Sequence, residues 1–184
     1  NQKPTFWQNL KFFFGYQVGH MYWRYFMWNF SGRQNDLSAD GGITTGNWIT
    51  GIPFVDEHVL ALGPQDNIAP DIVQNKGHNR YYMLPLLLGI FGILYQLQLK
   101  RRGKQSFIVV FLLFFMTGLA IILYLNQTPY EPRERDYAYA GSFYAFSIWV
   151  GMGVAGIGYF LRKYIKNTTA AAAVAAAASL CVPI

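Results

Sequence analysis

The sequence predicts an all-α integral membrane protein, a fragment of a multispanning helical bundle with an aromatic interfacial helix and an extracytoplasmic loop region. Three observations carry that reading. Of the 184 residues, 53% are apolar and 18% aromatic, and they come in blocks rather than dispersed. Two basic clusters, Lys100-Arg101-Arg102-Gly103-Lys104 and Arg162-Lys163-Tyr164-Ile165-Lys166, each lie at the end of an apolar run, as cytoplasmic topology signals do. Between two such runs the segment 131–136 holds Glu131, Arg133, Glu134, Arg135 and Asp136. Charges set against a hydrocarbon edge are costly to desolvate and point to a binding or catalytic role.

The elements follow in order. Residues 1–30 predict a helix that lies on the membrane interface or enters it obliquely: Phe6–Phe30 is crowded with Phe, Tyr and Trp. Gln17, His20 and Arg24 fall at i, i+3 and i+7, on one helical face. Residues 31–80 are rich in Gly, Asn, Asp and Pro and read as structured extracytoplasmic loop. Residues 81–166 predict three transmembrane helices, about 81–99, 106–125 and 142–161, each near the ~20 residues that cross a ~30 Å core. In the third, Gly151, Ala155 and Gly158 share a face suited to close helix contact. Residues 167–184 form an Ala-rich tail, read either as a fourth span or as alanines standing in for other side chains. The two basic clusters place the 100–104 turn and the end of the third span in the cytoplasm, and so the 131–136 loop and residues 31–80 outside.

Composition also excludes. The net charge of +6 forms no nucleic-acid patch, because the basic residues sit at span ends. Cys181 alone allows no intrachain disulfide framework. His20, His58 and His78 are scattered and lack zinc spacing. With no initiator Met and no signal-peptide pattern, the chain is expected to be an internal or C-terminal piece of a longer polypeptide.

Arg133 and Arg135, with Arg24 and Arg33, predict phosphate binding, since guanidinium forks match phosphate oxygens and stay charged. The bland alternative is that they pair with Glu131, Glu134 and Asp136 and only brace the loop. Candidate bases are Asp56, Glu57, Glu131, Glu134 and Asp136, with Asp36 and Asp40 behind them. Such a carboxylate takes a proton from an attacking hydroxyl or positions a divalent metal beside a phosphate leaving group. For any one of these carboxylates the competing reading is a solvated loop.

Several strings resemble one family. MYWRYFMWNFSGRQND (Met21–Asp36), GNWITGIPFVDE (Gly46–Glu57), NRYYMLPLLLGIFG (Asn79–Gly92) and NQTPYEPRERDYAYAGSFYAFSIWVGMGV (Asn126–Val154) resemble the bacteroidete multispanning membrane family known as domain of unknown function 2723. That family is similar to a eukaryotic endoplasmic-reticulum protein O-mannosyltransferase. The resemblance implies a GT-C-type enzyme that uses a polyprenyl-phosphate sugar donor and a protein acceptor at the outer face of a bacterial inner membrane. By this analogy Arg133 and Arg135 hold the donor phosphate with Arg24 and His20 close by. Glu131, Glu134 and Asp136 orient them, and Trp23, Trp28 and Tyr137 line the sugar or prenyl groove. Enzymes of this type keep a key acid in their first outer loop, and this chain is expected to start after it, so the base stays unassigned. The competing reading is a non-catalytic subunit or scaffold packed against other membrane proteins.

Overall fold

The computed structural model describes residues 3–38, 42–65, 68–129, 134–180 and 182. It is mostly helical. The aromatic N-terminal stretch is a continuous helical rod in three parts: α1 (Phe6–Phe12), a π-helical segment (Phe13–Trp23) and α2 (Arg24–Phe30). Thr5 starts it with a capping box, its hydroxyl accepting from the Gln8 N–H while the Gln8 side chain accepts from the Thr5 N–H. The π geometry shows at Arg24, whose N–H donates to the Gly19 carbonyl five residues back.

The rod divides by environment. α1 has no buried residue, with Phe6 70% and Trp7 76% exposed, whereas six of the seven residues of α2 are buried. The expected stripe at 3.6-residue spacing is redrawn by the wider π turns. Gln17, Met21 and Tyr22 turn inward at four- and five-residue intervals, and His20 is left half-buried.

Against α2 pack α4 (Leu84–Gln98), α5 (Arg101–Thr117), α6 (Leu119–Leu125) and α7 (Ala140–Leu161); the short α3 (Pro70–Val73) lies in the loop region before them. Among the described residues, two helical stretches are long and apolar enough to cross a membrane. These are Arg101–Leu125, 25 residues at mean hydropathy 2.8, and Asp136–Leu161, 26 residues at 1.5. Only 11% and 28% of their most apolar windows are buried inside the protein. Most of that surface therefore faces outward, where a soluble core helix would hide it. These two helices point to membrane association.

The first expected span is shorter than its apolar run. Tyr82 and Met83 adopt left-handed conformations, with φ of 52° and 57°, and Leu99 is extended. α4 is thus confined to 15 residues, about 22 Å of rise.

α4 and α7 run side by side in the same direction, and glycines set their separation. A Cβ on Gly92 would collide with the Trp149 carbonyl, one on Gly153 with the Leu88 carbonyl, and one on Gly89 with the Phe146 ring. The close face of α7 is therefore Gly153 and Gly156, not the expected Gly151, Ala155 and Gly158. Gly151 meets nothing within 4 Å, and Gly158 instead faces Ala175 at 3.7 Å. Ala175 belongs to α8 (Thr168–Ser179), twelve residues capped by the Asn167 side chain and shorter than a crossing requires.

α5 runs antiparallel to α7, and the two touch where Thr117 and Gly118 meet Gly141 and Ser142. Gly118 ends α5 at φ −118°, ψ −91°, next to the Tyr22 hydroxyl. The Thr117 hydroxyl donates to the Leu113 carbonyl at 2.7 Å, a back-bond that bends helices.

The 31–80 segment is ordered by side chains as well as backbone. β1 (Gly32–Arg33) pairs antiparallel with β2 (Asn79–Arg80), and Arg33 also bridges to Trp48. Buried Gln34 and Asn35 serve as hubs. The Gln34 amide donates to the Ile43 carbonyl and the Gln65 side chain, while the Asn35 side chain holds Gly46 N and Thr44 O. Arg80 Nε donates to His78 Nε2 at 3.0 Å, so the proton of neutral His78 sits on Nδ1, 2.7 Å from the Gln34 carbonyl that accepts it.

Candidate functional site

The densest polar cluster forms where α2 meets the end of the 131–136 loop. Arg24, 4% exposed, donates through Nη2 to Glu134 Oε2 at 2.8 Å and through Nη1 to the Gly46 carbonyl at 2.9 Å. Its Nε donates to the His20 carbonyl at 3.0 Å. Its guanidinium carbon also lies 4.5 Å from the Tyr25 ring centroid and 4.6 Å from that of Trp28. The Tyr25 hydroxyl donates to Glu134 and accepts from the Arg135 N–H at 3.2 Å. One tyrosine thereby ties the loop to the core.

Arg33 completes the cluster from β1. Its guanidinium lies 3.9 Å from the Trp28 centroid, and its Nε donates to the Asn35 carbonyl at 3.0 Å. Burial lowers its pKa, against the opposing fields of Asp36, Asp136 and Glu134, with Arg24 adding to the lowering. Burial likewise lowers His20, helped by Arg24 and opposed by Glu134. Tyr25 is pushed up, first by burial and then by its bond to Glu134, so its phenol stays protonated. The Trp28 indole N–H is buried and finds no partner among the described residues.

The structure brings together Arg24, Arg33, Trp28, Glu134 and Arg135, with His20 and Asp136 at the edge. Glu131 and Arg133 lie outside the described residues. Trp23, 47% exposed, stacks on Phe26 at 5.6 Å rather than on the arginines, and Tyr137 is 63% exposed. Asp56 is employed elsewhere. Its two oxygens accept from Thr50 N, Thr50 Oγ1 and Gly51 N at 2.7–2.9 Å, which closes the turn before the short π-helical stretch Val55–Val59. Glu57 stands beside it in a small recess with Arg80 and Gln65. Among the described residues no three His, Cys, Asp or Glu side chains stand close enough to hold a metal.

Tyr25 is the functional-looking residue that pattern reading missed, whereas Gln17 belongs to the polar stripe that the sequence shows. Gln17 is 4% exposed, and its amide donates to Asn126 Oδ1 at 3.1 Å and the Gln127 carbonyl at 2.9 Å, pinning the far end of the same loop. Nothing in a string as aromatic as YWRYFMWNF marks one hydroxyl as the bridging one. Compared with protein-family models, curated proteins and solved structures, the chain matches none.

Proposed function

We propose that this chain is the later membrane part of a GT-C-like glycosyltransferase. It would take a polyprenyl-phosphate-linked sugar at the outer face of a bacterial inner membrane and glycosylate protein. The observation that carries this reading is the Arg33–Trp28–Arg24–Glu134 cluster, set at the polar end of helices whose apolar surface faces outward. The family resemblance supports it from the sequence side. Glu134 neutralises Arg24, so Arg24 acts as a brace that fixes Trp28 and the loop. Arg33 and Arg135, with Arg133, are then the phosphate-binding side chains. Cations fixed where the leaving phosphate gains charge lower the barrier without reorganising at the moment of transfer. The orphaned Trp28 N–H is a further donor that a ligand oxygen would satisfy.

The test is transfer of mannose from polyprenyl-phosphate mannose to a protein acceptor by membranes containing the full-length protein. Arg33→Gln is expected to reduce transfer by about 100-fold, as loss of a transition-state donor does, with membrane insertion unchanged. Wild-type membranes that neither transfer the sugar nor bind the donor would overturn the reading. One observation favours the second reading, a scaffold subunit: every donor nitrogen of Arg24 already has a partner within the chain. In that case Arg33→Gln would alter the detergent-extracted complex and leave transfer untouched.

A further inference from the structure

At the opposite end of the bundle, a cavity of about 390 Å³ opens between α4, α7 and α8. Tyr95 and Tyr159, with ring centroids 5.7 Å apart, form one side of its lining. Ala155, Gly158 and Ala175 add small side chains, and Arg162 stands in the lining as its one charged group. The parallel course of α4 and α7 brings the segments that follow them, 100–104 and 162–166, to this same end. Those segments carry seven cationic side chains and no carboxylate. A slot lined mainly by small and aromatic side chains therefore lies beside a surface rich in positive charge.

We infer that this groove holds an anionic phospholipid, one acyl chain lying along Ala155 and Gly158 and the headgroup phosphate against Arg162. The inference rests on the membrane setting of the proposed function and not on its chemistry. Charge complementarity selects the occupant. A zwitterionic lipid would fill the slot equally well but leave the cations unmatched, whereas basic pockets between membrane helices on the cytoplasmic side take anionic headgroups. A neighbouring protein helix would need its own acidic face at a depth where carboxylates are costly. Gly158 keeps the slot open: a side chain there would extend over Ala175, which its Cβ would meet at ordinary van der Waals distance.

The experiment uses the full-length protein purified from membranes, offered equimolar phosphatidylglycerol and phosphatidylcholine in mixed micelles, with bound lipid counted by native mass spectrometry. Retention of one phosphatidylglycerol in preference to phosphatidylcholine is expected. Arg162→Gln should weaken it about fivefold, the contribution of one basic side chain at an anionic surface. Ala155→Leu fills the slot from a position already exposed, and should weaken retention of phosphatidylglycerol roughly tenfold while keeping the charge. Equal binding of the two lipids, or Ala155→Leu binding like wild type, would overturn the groove. A protein released from membranes by carbonate wash would overturn the membrane setting itself. Transfer activity lost with lipid binding intact would count against the proposed chemistry alone.

Discussion

The two ends of the bundle handle charge in different ways. Residues 1–80 and 131–136 hold all nine carboxylates together with eight cations, while 100–104 and 162–166 hold seven cations and no carboxylate. At the first end the signs interleave, and a pair driven into the core, Arg24 with Glu134, is held in place by Tyr25 and the Gly46 carbonyl. Its geometry comes from inside the chain. At the second end no carboxylate among the described residues pairs with the charge, which is left for the surroundings and is open to salt screening. The difference separates a cluster whose shape is set by folding from a surface whose partner is set by the medium.

That contrast breaks most readily at Glu134. Glu134→Ala leaves a buried guanidinium unpaired and should cost about 3–5 kcal/mol, read as thermal unfolding in detergent. The double change Arg24→Met with Glu134→Leu should recover much of it. Arg101→Gln, at the other end, should stay within about 0.5 kcal/mol. If the Glu134 and Arg101 variants melt together, the two ends do not differ as described.

A second comparison sets a glycine of α4 against one of α7. Gly92→Ala pushes a methyl into the Trp149 backbone and should destabilise by about 1–3 kcal/mol. Gly151→Ala enters open space and should be neutral or slightly stabilising, since alanine is the better helix former. Chemical-denaturation midpoints of the two variants test this directly. Somewhat below the Gly92 effect is Trp149→Phe, which strips the indole N–H from Gln96 Oε1 (2.9 Å) and should cost about 1–2 kcal/mol.

The smallest effect expected is in pH. The folded pKa of His20 lies below the ordinary histidine value of 6.5, so just below that pH the unfolded chain binds the proton and the folded one does not. Stability is fully present above 6.5 and declines as pH falls toward the folded pKa. His20→Gln should flatten that limb of a melting-temperature profile, and an unchanged slope would assign it to another group.

Much of the fold was legible because helices long and apolar enough to cross a membrane advertise themselves by composition, and Arg101–Leu125 and Asp136–Leu161 do so. The shortened α4 was not, because two consecutive left-handed residues, Tyr82 and Met83, leave no compositional mark. The glycine face was misassigned for a related reason. Within α7 alone, Gly151, Ala155 and Gly158 look as good a seam as Gly153 and Gly156, and only the positions of Gly89 and Gly92 on α4 decide between them. At the site, alternating signs in 131–136 announced that arginines and carboxylates would meet. Which would pair was hidden, since Arg24 and Glu134 are 110 residues apart and their meeting depends on how the rod and the loop cross.

The π-helical segment has a consequence of phase. Eleven residues wound in wide turns act as a fixed rotational offset between α1, which faces outward, and α2, which faces the core. In an α-helix each residue turns the chain by about 100°. Removing a single residue between Phe13 and Trp23 would let the segment tighten into better hydrogen bonds and, in the same motion, swing Arg24 away from Glu134. Local comfort and the long-range pairing are thus set against each other, and the rod keeps the less comfortable winding because it delivers the arginine on time.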